Sequence, residues 1–211
     1  MKMNGFSLSI IGFAAMIALQ GCGGEEGGGS ADGGTASPLP SDGYLPGVPG
    51  VLNVCNNQIN DSDNSNAKGV CLKVAALSGN VYYTSSPSVA LLNDQLYYDT
   101  TSTYTESSKG PAGGTFATFD HTERNSWCDH LQNKNFAGRG NWVQAGESQL
   151  VQLRDAFGSN IYNQLGWPSG VYYSGPRSVS GRPGQHVMVD LSSGGFAVVN
   201  SGIGYVSCVS H

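Results

Sequence analysis

Charged residues are scarce in this chain of 211 residues, at 12% of the total, and basic residues are the scarcer sign. Ten Lys and Arg stand against fifteen Asp and Glu, and the basic residues are scattered rather than clustered. A nucleic-acid-binding protein needs a concentrated positive surface to neutralise phosphates. The composition therefore excludes DNA and RNA as expected partners.

The sequence also lacks the short motifs of several enzyme and metal-site classes. It contains no Gly-x-Ser-x-Gly elbow for an exposed nucleophilic serine and no Cys-x-x-Cys pair for a structural zinc ion. Four histidines are present, but we expect surface or boundary positions for them rather than a catalytic set: His121, His130, His186 and His211. We therefore predict a protein that is not an enzyme and that needs no cofactor.

The N-terminal apolar run, Phe6 to Leu19, is too short to span a bilayer of about 30 Å as a helix. Such a run after Lys2 predicts a signal peptide over residues 1–21. The residues Leu19-Gln20-Gly21-Cys22 resemble the bacterial lipobox, which has an aliphatic residue three before its cysteine and a small residue directly before it. The resemblance implies a lipoprotein, cleaved before Cys22 and anchored by acyl chains such as palmitate on that cysteine. The alternative is an ordinary secretory signal peptide followed by a chance cysteine.

The residues after the predicted cleavage site indicate a tether. Residues 22–50 are dominated by Gly, Ser and Pro, a composition that cannot bury a core. Under the Gram-negative sorting rule, Gly23 after the lipidated cysteine implies the outer membrane, with the domain facing either the periplasm or the cell exterior. The remaining residues, 51–211, are enough for one domain with its own core.

Four cysteines remain in that domain once Cys22 is set aside, and an even number in an exported chain predicts disulfide bonds. Three pairings are possible. We favour Cys55–Cys71, which closes a short polar loop, and Cys128–Cys208, which ties a predicted helix to the last predicted strand.

Hydrophobic patterning predicts two helices and a small set of strands. Apolar residues fall at helical spacing over Thr122 to Leu131 and over Glu147 to Phe157. Alternating or β-branched runs bounded by Gly, Asn and Pro predict strands at Val70 to Leu77, Asn80 to Thr84, Leu96 to Tyr104, His186 to Leu191, Phe196 to Asn200 and Tyr205 to Val209. The predicted fold class is α+β, a small twisted antiparallel sheet with two helices, stapled by disulfides.

About half of the chain is similar to a known family. A helix with Trp127-Cys128, then Asn141-Trp142, a helix with Leu150 and Leu153, Tyr172 to Ser174, and a final Tyr205-x-x-Cys208-Val209 resemble the Lcl C-terminal-like domain of bacterial surface adhesins and invasin-like proteins. The resemblance implies a C-type-lectin-like fold. The central family motif is degenerate, because Val143 to Gly146 stand where Arg-Leu-Pro-Thr is expected and Gln149 replaces a glutamate.

Ligand candidates come from paired tyrosines. Tyr97 with Tyr98 and Tyr172 with Tyr173 lie in predicted strands, where one ring of each pair should face outward and suit a sugar face or a protein anchor. Packing in the core is the alternative for each. Asp61 and Asp63 alternate with Ser65 in an oxygen-rich loop, a weak calcium candidate, but the loop lacks the glycine and glutamate of an EF-hand.

Taken together, these features predict a surface-exposed lipoprotein that acts as a binding or adhesion module. Its partners would be the membrane, through the N-terminal lipid, and a glycan, matrix component or surface protein. The alternative is a structural accessory lipoprotein of an envelope machine, such as a pilus, secretion or motility complex.

Overall fold

A computed structural model describes residues 52–78, 80–158, 160–175 and 185–211 of the chain. The predicted signal peptide, the predicted lipidation site Cys22 and the predicted tether lie outside these residues. Within the described ranges, no helix is long and apolar enough to cross a membrane.

The domain consists of short strands and short helices, without a single dominant element. The strands are β1 (Asn53–Val54), β2 (Cys71–Leu72), β3 (Val74–Leu77), β4 (Val81–Thr84), β5 (Ser102–Thr105), β6 (Thr115–Thr118), β7 (Val143–Gln144), β8 (Val171–Tyr173), β9 (His186–Asp190), β10 (Phe196–Val199) and β11 (Cys208–Ser210). The helices are α1 (Asn64–Ala67), α2 (Val89–Gln95), α3 (Arg124–Asn133), α4 (Glu147–Phe157) and α5 (Ile161–Leu165). Single 3-10 turns occur at Cys55–Asn57 and Phe136–Gly138.

Two antiparallel sheets organise the described residues. The first has the order β3-β4-β11-β7, so the last strand of the chain lies between strands from its first and middle parts. The second has the order β10-β9-β8. A hairpin of β5 and β6 and a short parallel pair of β1 and β2 complete the set. The protein is therefore a mixed α and β domain with small antiparallel sheets.

The helices cover this framework with apolar faces. Trp127, Cys128 and Leu131 of α3 are buried, at the spacing expected for one helical face. Leu150 and Leu153 do the same for α4, against β9. Burying a large apolar side chain contributes about 1.5–3 kcal/mol, so these residues attach α3 and α4 to the core.

Two disulfides link Cys55 to Cys71 and Cys128 to Cys208, the two pairs favoured by the sequence. The first closes a local loop of sequence separation 16, whereas the second spans a separation of 80 and joins α3 to β11. Both bridges lie beside the same apolar cluster, since Leu72, Cys128 and Cys208 all belong to it.

The observed elements depart from the predicted ones between positions 89 and 105. The predicted strand Leu96 to Tyr104 reduces to β5, because α2 precedes it and ends with Leu96 in a left-handed conformation. Ser88 begins α2 by accepting a hydrogen bond from the Leu91 amide at 3.0 Å, a common N-cap arrangement. The expected single sheet with two helices is wrong in number: the described residues hold several small sheets and five helices, of which α1, α2 and α5 are short.

Candidate functional site

An open cleft of about 510 Å³ lies between the β5–β6 hairpin and the segments that contain β8 and Tyr205. This volume falls in the usual range for ligand sites. We name it the Glu106 cleft. Its lining comes from separate parts of the chain: Ser102, Thr103, Tyr104, Glu106, Ser108, Lys109, Thr118, Gly170, Val171, Ile203, Gly204 and Tyr205.

The floor of the Glu106 cleft carries a buried carboxyl group. Glu106 is only 3% exposed, and its Oε1 accepts a 2.5 Å hydrogen bond from the Tyr205 hydroxyl. Burial, and next the hydrogen bond to Glu106, raise the pKa of Tyr205 far above its usual value, so the phenol remains a donor. Among the described residues, no donor contacts the second oxygen, Oε2, and that oxygen is not sealed from solvent.

Backbone contacts hold Glu106 in this position. Its amide donates to the Gly114 carbonyl at 2.8 Å, and its own carbonyl accepts from the Gly113 amide at 2.9 Å. Gly110 packs against the side chain so closely that a Cβ at Gly110 would stand 2.6 Å from Glu106 Cγ. The turn after β5 thus directs a carboxylate inward, where a solvated glutamate would be the ordinary outcome.

The rim of the cleft is apolar and exposed. Tyr104 is 53% exposed, Ile203 51% and Val171 39%. The hydroxyl-bearing residues Ser102, Thr103, Ser108 and Thr118 also line the cleft. An apolar rim with a few convergent polar groups is typical of a binding site.

Lys109 at one edge of the cleft is already paired. Its Nζ lies 3.3 Å from Asp190 Oδ2, and about half of the lysine side chain is exposed. Burial alone would raise the pKa of Asp190, but hydrogen bonds from Ser192 and the charge of Lys109 outweigh that effect and lower it. The carboxylate of Glu106 therefore dominates the charge of the cleft floor.

The four predicted ligand tyrosines are not brought together. Tyr172 and Tyr173 are fully buried, and their hydroxyls donate to the carbonyls of Pro168 and Gly202. The expectation that one of this pair faces outward is wrong, because β8 is covered on both faces. Tyr97 is also buried, with its hydroxyl 2.6 Å from Ser126 Oγ, and burial raises its pKa to about 12. Tyr98 alone of the four is exposed, at 71%.

The carboxylates of Asp61 and Asp63 are engaged in hydrogen bonds and an ion pair within the protein. Asp61 accepts hydrogen bonds from the Asn66 amide group and the Asp63 backbone, and lies 3.3 Å from Lys73 Nζ. Asp63 Oδ1 accepts from both the amide and the hydroxyl of Ser65. Across the part of the chain that the structure describes, no group of three His, Cys, Asp or Glu side chains is arranged to hold a metal ion.

Two histidines meet a buried arginine at a second polar cluster. Arg124 is 6% exposed, and its Nη1 lies 2.7 Å from His186 Nδ1. His121 stacks on His186 with ring centroids 5.4 Å apart. His130 stacks on Trp127 in α3, and His211 contacts Gln149 through its Nε2. Because arginine only donates, the His186 Nδ1 must accept, so this histidine is neutral in the observed arrangement.

Sequence reasoning did not identify the Glu106 cleft. Glu106 stands alone in a run of Ser, Thr and Gly, and no motif distinguishes it from a solvated acid. The one available signal was the polar, Gly-rich turn between two short β-branched runs, which indicates a hairpin but not the direction of the Glu106 side chain.

No protein-family model matches the sequence, and a comparison with curated proteins gives no match. Among solved structures, the chain is similar to the Yersinia pseudotuberculosis adhesin InvE, with 23% sequence identity and a TM-score of 0.45. The similarity covers 65% of this chain and 33% of that structure, so the chain spans about a third of the neighbour's length.

Proposed function

We propose that this protein is a non-enzymatic surface binding module that grips a glycan, a matrix component or a protein of another surface through the Glu106 cleft. The observation that carries the proposal is the cleft itself, an open concavity with an exposed apolar rim, hydroxyl-bearing walls and a buried carboxylate floor. The proposal includes a C-type-lectin-like fold, which the adhesin-type order of residues in the sequence supports, and a lipid anchor on Cys22, which the lipobox supports.

Binding accounts for the Glu106 cleft better than hydrolysis does. Glycoside hydrolysis generally needs a second carboxyl group to act as nucleophile or base. Among the described residues that line the cleft, Glu106 is the only acid, and no histidine lines it. The hydroxyl-bearing residues Ser102, Thr103, Ser108 and Thr118 instead line the cleft with groups that can donate to or accept from a ligand.

The test is binding of the detergent-solubilised full-length protein to arrays of glycans, matrix proteins and bacterial surface proteins. Tyr104→Ala removes an exposed ring from the rim, and Tyr98→Ala is its matched control, an exposed tyrosine outside the cleft. We expect Tyr104→Ala to weaken binding roughly tenfold, because it removes an aromatic side chain that the ligand would contact, and Tyr98→Ala to leave binding unchanged. Binding that depends on Tyr98 and not on Tyr104 would place the site elsewhere.

A second candidate, the accessory lipoprotein of an envelope complex, rests on strand β10. This strand has a β neighbour on one side only within the described residues, and it exposes Phe196 (67%) and Val198 (45%). An exposed apolar edge strand can pair with a strand of a partner. Crosslinking in intact cells, followed by purification, tests this role: a partner complex lost in Phe196→Lys but kept in Tyr104→Ala favours it over the cleft.

A further inference from the structure

We infer that the Glu106 cleft binds a protein ligand in extended conformation and accepts one of its lysine or arginine side chains against Glu106. This inference rests on the proposed function and narrows its ligand to a peptide segment with a basic side chain. Three features of the cleft carry it: the Glu106 oxygen that is open to the cleft, the apolar rim above it, and the edge of strand β5 that has no neighbour among the described residues.

The first feature is charge. Glu106 lies at the floor, where its Oε1 accepts from the Tyr205 hydroxyl, while Oε2 faces the cleft without a donor among the described residues. Because Oε2 is open to the cleft, a donor on a ligand can reach it, and a charged donor forms a stronger hydrogen bond with a carboxylate than a neutral one does. Lys109, the only basic residue among the described ones that line the cleft, is held 3.3 Å from Asp190 instead. A cation that binds Oε2 would therefore be supplied by the ligand rather than by Lys109.

The second feature is shape. Lysine and arginine carry a long apolar stem behind the charge, and the exposed side chains of Tyr104, Val171 and Ile203 form an apolar rim above the floor. The face of Tyr104 can also attract the cationic group during entry. A stem that packs on the rim while its charge reaches Glu106 uses both parts of the cleft at once.

The third feature is the edge of strand β5, which favours a peptide over a free amine or an amine-bearing sugar. Strand β5 borders the cleft through Ser102, Thr103 and Tyr104, and all four of its residues are exposed. It pairs only with β6 among the described elements, so no strand in that part of the chain covers its other edge. An extended peptide can add to such an edge by main-chain hydrogen bonds, while alternate side chains enter the neighbouring pocket.

The experiment measures binding of full-length protein in detergent to short Ser/Thr host peptides that differ at one central residue, Lys, Arg, norleucine or Glu. We expect the Lys and Arg peptides to bind at least roughly tenfold more tightly than norleucine, with Glu weakest. An amine-bearing oligosaccharide and n-butylamine serve as additional probes. Equal binding of Lys and norleucine, or Glu106-dependent binding of the oligosaccharide without the peptides, overturns the inference.

Glu106→Gln is the decisive variant, because it keeps an acceptor for Tyr205 while it removes the charge. It should abolish the preference for Lys over norleucine. Asp129→Asn, which removes the same charge from an exposed position on α3 outside the cleft, should keep the preference. If Glu106→Gln lowers the unfolding temperature, Tyr104→Ala tests the same preference from the exposed rim.

The outcomes separate this inference from the proposed function. Array ligands that bind in a Tyr104-dependent manner, while the peptides show no basic preference, leave the binding module intact and overturn the inference alone. Absence of any Tyr104-dependent ligand together with absence of peptide binding overturns both.

Discussion

At the scale of single residues, Lys73 provides an internal cation for the Asp61–Asp63 loop. Its side chain is 1% exposed, and its Nζ donates to the carbonyls of Asp61 at 2.5 Å and Asp63 at 2.9 Å. The carboxylate of Asp61 completes the set at 3.3 Å. Carbonyl and carboxylate oxygens of the kind that bind calcium thus surround the ammonium group of Lys73. The lysine side chain therefore supplies the positive charge that this oxygen-rich loop needs.

Replacing Lys73 should therefore destabilise the domain. Burial lowers the pKa of Lys73, and Asp61 counteracts that effect, so the pair depends on both partners. We expect Lys73→Met to reduce the free energy of unfolding by about 3 kcal/mol, because it leaves the buried Asp61 carboxylate without its cation. Urea denaturation measures the loss. The double variant Asp61→Asn/Lys73→Met should lose less than the sum of the two single variants; simple additivity would contradict this account.

At the scale of elements, α3 and β9 meet through the Arg124–His186 hydrogen bond. Burial lowers the pKa of His186, and the charges of Arg124 and His121 lower it further. Two nearby groups favour the charged form of Arg124. They are Tyr173 of β8, whose ring lies 5.8 Å from the Arg124 guanidinium, and Asp120 just before α3. A protonated His186 would present a donor and a positive charge to Arg124, so acid should weaken this junction.

The pH dependence of stability follows from that direction. A histidine whose pKa is lower in the folded state binds fewer protons there than in the unfolded chain, whose value is about 6.5. The contribution of neutral His186 to the free energy of unfolding is therefore complete above a pH of about 6.5. It is lost as the pH falls from that value through the lower pKa of the folded state. We expect the unfolding midpoint in urea to decrease over this window.

His186→Asn is the matched variant for this effect, because its amide oxygen can still accept from Arg124 but does not titrate. It should flatten the decrease, while His130, whose pKa burial also lowers, accounts for the part that remains. The lowered pKa values of Asp120 and Asp190 act in a separate window at lower pH. An unchanged pH profile in His186→Asn would show that His186 does not control it.

The elements also show where sequence patterns succeed. Glu147 to Phe157 was predicted as a helix, and α4 has these bounds, because its apolar spacing and the following Gly158 are local signals. The alternation of His186, Met188 and Asp190 with apolar residues puts Met188 on the polar face of this strand, yet Met188 is 7% exposed. Gly204 allows this burial, since a Cβ there would stand 2.6 Å from Met188 Cε. Contacts between segments so distant in sequence leave no periodicity to read.

At the scale of the whole molecule, the two disulfides restrict the unfolded chain to different extents. Loop-closure entropy predicts about 3 kcal/mol for Cys55–Cys71 and about 4.5 kcal/mol for Cys128–Cys208, because the second closes a longer loop. Replacing both cysteines of one bridge by alanine should therefore cost more at Cys128 and Cys208. Thermal unfolding of the two double variants measures the order, and a larger loss at Cys55 and Cys71 would contradict it.

The proposed anchor makes a prediction at the same scale. The intact mass of the protein purified from cells should correspond to a chain that begins at Cys22 and carries acyl chains. Cys22→Ser should remove the acyl mass and release the protein from membranes. An unacylated chain that begins at another residue would contradict the anchor without affecting the proposed cleft.

The features that follow from the sequence alone are local or combinatorial. The spacing of apolar residues defined α4 and most of α3, and four cysteines in one domain left few pairings, among which the two observed ones were favoured. The Glu106 cleft and the burial of Tyr172 and Tyr173 instead depend on tertiary packing. The cleft combines residues from positions 102–109, 118, 170–171 and 203–205, and side-chain direction at such a junction depends on packing between segments rather than on either segment's own pattern.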